Sequence, residues 1–118
     1  MTGVTLYGIP NCDQVKKARA WLSAQQVAYA FHDFKKAGVE PGRLNAWLGY
    51  VPWEKLINRQ GTSWRALPDE RKAAIIDADS AIELMLAAPS IIKRPILALP
   101  DSLLVGFSEA LYQQNFTK

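Results

Sequence analysis

Cys12 is the one thiol in a chain of 118 residues. It stands in Gly8-Ile9-Pro10-Asn11-Cys12-Asp13-Gln14-Val15, where strand-forming residues (Val4, Thr5, Leu6, Tyr7) give way to a helical pattern. The first turn of a helix holds N–H groups with no acceptor inside the helix. Together with the aligned peptide dipoles they carry about half a positive charge. Asn11 suits the N-cap, which puts Cys12 in that first turn, and Lys16 lies one turn further on. Both features favour the thiolate, the nucleophilic form of the side chain, whereas Asp13 opposes it. The competing reading of a lone cysteine is a small buried apolar residue. Pro10, Asn11, Asp13 and Gln14 are polar or turn-forming, so they mark a surface loop and favour the nucleophile.

A second stretch, Ile92-Lys93-Arg94-Pro95-Ile96, also bears on chemistry. Arg94 offers a planar fork of donors that matches a carboxylate or an oxyanion. A cis bond before Pro95 exposes the preceding backbone groups to a bound thiol or peptide. The same residues also suit a turn proline beside an exposed arginine. Metal chemistry has little to work with: one histidine, His32, and one cysteine twenty positions away do not form a zinc or iron ligand set. No Walker-type or GxGxxG glycine loop occurs, so nucleotide binding lacks support.

The elements that must position these residues follow from periodicity. Thr2 to Tyr7 reads as a strand, Cys12 to Gln25 as a helix with Val15, Ala18 and Leu22 inward, and Val27 to Phe34 as a second strand. Strand, helix, strand over so short a span makes a right-handed crossover between parallel strands. The middle reads as helices: Glu40 to about Tyr50, a short one after Pro52, a break at Gly61-Thr62-Ser63, then Pro68 to Ile76 and Asp79 to Ala88. Ile96 to Leu99, the turn Pro100-Asp101-Ser102 and Leu103 to Phe107 form an antiparallel hairpin. Ser108 then caps a last helix with Leu111 and Tyr112 inward. The order predicts an α/β, thioredoxin-like (glutaredoxin-type) fold. It has a mixed four-stranded sheet and an all-helical insertion over about residues 40–88 of one domain spanning 1–118.

Bulk properties set bounds on function. The apolar share of 49% supports a packed core, and the formal charge is +3. The basic residues fall in scattered pairs (Lys16-Lys17, Lys35-Lys36, Arg71-Lys72, Lys93-Arg94) with no run of five, a pattern of solvated faces that speaks against nucleic acid. A single cysteine cannot form an internal disulfide, and no leader or membrane span is legible. The expected compartment is the reducing cytoplasm.

YGIPNCDQVKKARAWL, NRQGTSWRAL, IKRPIL and VGFSEALY resemble the blocks of the arsenate reductase/Spx (ArsC) family, and specifically its YffB-like branch. The resemblance spans nearly the whole chain. It implies a thioredoxin-like fold with a monothiol active site: Cys12 as the nucleophile, Arg94 as the arginine before a cis-proline and Pro95 as that proline. Glutathione is the implied electron source. Two arginines that surround the oxyanion in the enteric type of arsenate reductase fall at Asn58 and Gly106 here, with Arg59 one residue along. Val15 stands where Spx regulators commonly carry the second cysteine of a CxxC switch.

The resulting expectation is a glutathione-dependent thiol reductase that works through an S-glutathionyl Cys12. Glutathione acts as cosubstrate, with no bound cofactor, no metal and no membrane. Arg94 and Arg59 hold carboxylates, and Asn11 and Lys16 steady the thiolate. A glutaredoxin or glutathionylated proteins are the expected partners. The alternatives are an arsenate reductase of the glutathione/glutaredoxin type and a non-catalytic, Spx-like partner of RNA polymerase.

Overall fold

The computed structural model describes residues 3–116, with the side chain of Lys35 left aside; Thr2, the expected start of the first strand, lies outside that range. In chain order the elements are β1 (Thr5–Gly8), α1 (Asp13–Ala24), β2 (Ala30–Asp33), α2 (Phe34–Ala37), α3 (Pro41–Trp47) and α4 (Trp53–Leu56). These are followed by α5 (Thr62–Arg65), α6 (Asp69–Ala73), α7 (Ala78–Ala87), a 3-10 turn (Pro89–Ile91), β3 (Ile96–Ala98), β4 (Leu103–Val105) and α8 (Glu109–Phe116). The chain divides into two compact units, one of residues 1–33 with 94–118 and one of residues 34–93.

The first unit is built on a four-stranded sheet of order β2-β1-β3-β4. β1 and β2 run parallel, joined through α1, while β3 lies antiparallel to β1 and β4 to β3. This mixed topology is the thioredoxin-like arrangement. Leu6, Leu97 and Leu104 from the sheet, Val15, Ala18 and Leu22 from α1, and Tyr112 from α8 form one core. Val15, Ala18 and Leu22 are wholly buried, as their helical spacing requires. Gly8 closes β1 where α1 crosses it: a Cβ there would lie 2.6 Å from Val15 Cγ2, so only glycine allows this approach. The hairpin turns through Leu99 N–H, which donates to Ser102 O at 2.9 Å. Ser108 Oγ accepts from Leu111 N at 3.0 Å and caps α8.

The second unit is helical. Phe34, Leu44, Trp47, Leu56, Ile57, Ala81, Leu84, Met85, Ile91 and Ile92 are buried. Two short helices, α2 and α5, were not legible from periodicity, because four residues span barely one turn. At Gly61-Thr62-Ser63 the break also starts α5, with Gly61 as its N-cap. The unit contains one antiparallel bridge, Ile57 to Ile92, flanked by Asn58 N–H to Ile91 O (2.9 Å) and Lys93 N–H to Leu56 O (2.7 Å). Asp77 caps α7 through a reciprocal box with Ser80. Its carboxylate accepts from Ser80 N at 2.9 Å, and Asp77 N–H donates to Ser80 Oγ at 3.1 Å.

Candidate functional site

The strand-to-helix joint begins where β1 ends. Cys12 N–H donates to Ile9 O at 3.3 Å, closing a β-turn with Pro10 and Asn11 at its centre. The turn consumes one more residue than the sequence pattern indicated. Asn11 is therefore not the N-cap: Cys12 is, with extended backbone angles (φ −89°, ψ 130°) and its carbonyl accepting the first helical bond from Lys16 N at 2.9 Å. Proline sets the first central position of a turn and asparagine suits the second, so Pro10-Asn11 delay the helix by one residue.

The correction changes the sulfur's surroundings. An N-cap side chain is the one that normally satisfies first-turn N–H groups. Cys12 makes no side-chain capping bond. Because the ladder starts at Lys16, the N–H groups of Asp13, Gln14 and Val15 have no acceptor within α1. Cys12 is half-buried and packs against the edge of the core, with Asn11, Asp13, Gln14 and Lys16 exposed around it.

Strand register brings Arg94 and Pro95 to the same end of the sheet. Tyr7 pairs with Ile96, so the chain leaving β1 toward Cys12 and the chain entering β3 from Arg94 lie at the same end of these two central strands. The Arg94–Pro95 peptide is cis. Pro95 is buried, and its carbonyl accepts from Gly106 N at 2.8 Å. Arg94 is half-buried with its Nε inside the protein.

The two positions that depart from the oxyanion pattern have structural occupations. Gly106 adopts φ +81°, a left-handed conformation that an arginine would take only with strain. Asn58 Oδ1 accepts from Gln60 N at 3.2 Å and shapes a turn. Val15, in place of a second cysteine, is core. Arg59 lies in the helical unit, exposed, with its guanidinium carbon 5.9 Å from the Trp53 ring and 5.6 Å from the Trp64 ring. Trp53 and Trp64 are both half-buried, and no periodicity in the sequence announces their shared contact with Arg59.

Residues 7–115 match the model of the ArsC family. The chain belongs to the ArsC family. Among its relatives is an uncharacterized protein of Haemophilus influenzae, 36% identical over 113 residues that cover 96% of this chain and 98% of that one. The global transcriptional regulator Spx of Streptococcus agalactiae is 28% identical over 90% of this chain and 77% of its own. Among solved structures, the YFFB (PA3664) protein superposes with a TM-score of 0.89 at 47% identity, covering 94% of this chain and 96% of that one. An arsenate reductase (ArsC) related protein from Brucella melitensis gives 0.75 at 49%, over 98% and 96%. This ArsC-family chain is thus related both to arsenate-reductase-like proteins and to Spx regulators. Among the described residues no group of histidine, cysteine and carboxylate side chains is placed to hold a metal ion.

Proposed function

We propose that this ArsC-family protein is a glutathione-dependent monothiol reductase with Cys12 as its nucleophile. The observation that carries the reading is the position of the one thiol, at the N-cap of a twelve-residue helix whose first N–H groups have no helical acceptor. An anion at that point gains from the helix dipole and from donors that need a partner.

Cys12 thiolate attacks the glutathionyl sulfur of a mixed disulfide, GS–SR. The Cys12–SG bond forms, the S–S bond breaks and RS⁻ leaves with the electron pair, taking a proton from water. The thiolate of a second glutathione then attacks the glutathione sulfur of Cys12–SG. Oxidised glutathione departs and the Cys12 thiolate returns. In net terms GS–SR and one reduced glutathione become oxidised glutathione and RSH: the sulfur released as RSH is reduced and that of the incoming glutathione oxidised, while Cys12 is regenerated. No second cysteine exists in the chain, so the resolving thiol comes from outside. Arg94 is assigned to a glutathione carboxylate, the backbone just before Pro95 to the bound thiol, and Asn11 and Lys16 to the rim of the thiolate. Glutathionylated proteins or a glutaredoxin supply the oxidised partner.

The test is turnover of the mixed disulfide of glutathione and 2-mercaptoethanol, followed as oxidised glutathione. Cys12→Ser is expected at background. Arg94→Ala is expected to lose about tenfold or more in kcat/KM, the value of one charge-assisted bond. A Cys12→Ser protein that turns over like wild type overturns the proposal.

Arsenate reduction is the second reading, favoured by the 49% identity to the arsenate reductase (ArsC) related protein of Brucella melitensis. It predicts arsenite release from arsenate, glutathione and glutaredoxin. Asn58 and Gly106 at two oxyanion positions weigh against it. An Spx-like regulator, the third reading, predicts capture of RNA polymerase that survives Cys12→Ser.

A further inference from the structure

Trp53 opens α4 and Trp64 sits within α5, on either side of the turn Asn58-Arg59-Gln60-Gly61. The turn itself is pinned. Asn58 N–H donates to Ile91 O (2.9 Å), Gln60 N–H to Asn58 Oδ1 (3.2 Å), Gly61 N–H to Asn58 O (3.3 Å) and the Arg65 guanidinium to Gln60 O (3.3 Å). Glycine at 61 is part of this: a Cβ there would meet Asn58 Nδ2 at 2.8 Å.

Arg59 projects from this turn over both indoles. Those ring contacts are the interactions it makes among the described residues; it forms no hydrogen bond or ion pair with them. An exposed arginine ordinarily loses much rotamer freedom when it binds an anion. Attraction to a ring face restrains the guanidinium without using its N–H donors. The result is a cation held in position with its donor fork open to solvent. Such a fork matches a planar carboxylate, which takes two parallel N–H···O bonds.

We propose that Trp53 and Trp64 are positioning residues that hold Arg59 as a receptor for a carboxylate ligand. The choice of ligand rests on the glutathione reading, since glutathione carries two carboxylates, but the test does not pass through Cys12. The full-length protein is titrated calorimetrically with S-methylglutathione, whose sulfur is blocked, and with its dimethyl ester, which has no carboxylate.

Arg59→Ala is expected to weaken S-methylglutathione about tenfold, and Trp53→Leu or Trp64→Leu about three- to fivefold. Trp53→Phe and Trp64→Phe keep a ring face and are expected to restore most of the loss, which also answers a leucine variant that fails to fold. The ester is expected to bind wild type and Arg59→Ala alike. The proposal is overturned by wild type that does not bind S-methylglutathione, by affinity indifferent to Arg59→Ala, or by tryptophan variants that weaken the ester as much as the acid. Binding that follows Arg59 in a protein whose Cys12 takes up no glutathione would remove the reductase reading alone. The reverse pattern would remove the Arg59 receptor alone.

Discussion

At the scale of the residue, the cysteine and the buried tyrosine of the first unit show opposite uses of a polar atom. Cys12 stands half-exposed at an N-cap, where a neutral thiol is a poor capping group and an anionic sulfur a good one. Tyr112 is wholly buried, edge-on to Trp21 and Phe107, and its hydroxyl has no hydrogen-bond partner among the described residues. Desolvation pushes its pKa well above the ordinary tyrosine value, so the group stays neutral at any physiological pH. A buried hydroxyl without a partner costs roughly 1–3 kcal/mol, and Tyr112→Phe removes that cost while keeping the ring. The variant is expected to be more stable by about 1 kcal/mol in urea denaturation. A loss of stability would mean that the hydroxyl is bonded after all, for instance to an ordered water.

At the scale of the element, two joints decide where side chains land. The first is Gly8 against Val15 at the start of α1. Valine is stiff about χ1 and cannot swing away from an added methyl 2.6 Å from its Cγ2. Gly8→Ala is expected to cost about 1–3 kcal/mol through overpacking, read as a lower denaturation midpoint, and Val15→Ala in the same chain should recover part of it. The second joint is the Asp77 cap of α7. The Ser80 backbone N–H, then the Ser80 hydroxyl, hold the carboxyl below its ordinary value of 3.8. A depressed folded-state pKa gives stability that is present above 3.8 and is lost as pH falls through the lower folded value. Thermal melts of wild type and Asp77→Asn should therefore differ at neutral pH and converge as the pH is lowered through the depressed folded-state value. Local pattern made most elements legible, since Val15, Ala18 and Leu22 announce the inner face of α1, and Pro100-Asp101-Ser102 the hairpin. It placed the cap one residue early because Pro10-Asn11 serve a turn and a helix start equally well in sequence. The bond from Cys12 N–H to Ile9 O decides between them.

At the scale of the whole molecule, the chain joins a thioredoxin-like unit to a helical unit and belongs to the ArsC family. The sheet order was within reach of sequence because βαβ and the late hairpin each admit few topologies. The Arg59 contacts were not, since they join residues from two short helices and a turn with no shared period. No helix among the described residues is long and apolar enough to cross a membrane. Family membership bounds the chemistry without choosing it, because relatives include both an arsenate-reductase-related protein and a regulator. The choice turns on what Cys12 does with glutathione. The direct measurement is intact-protein mass after brief exposure to oxidised glutathione at neutral pH, followed by addition of reduced glutathione. The reductase mechanism predicts a gain of one glutathionyl group on wild type, none on Cys12→Ser, and its removal by the reduced thiol. A wild-type protein that stays unmodified, or an adduct that reduced glutathione leaves in place, would contradict it.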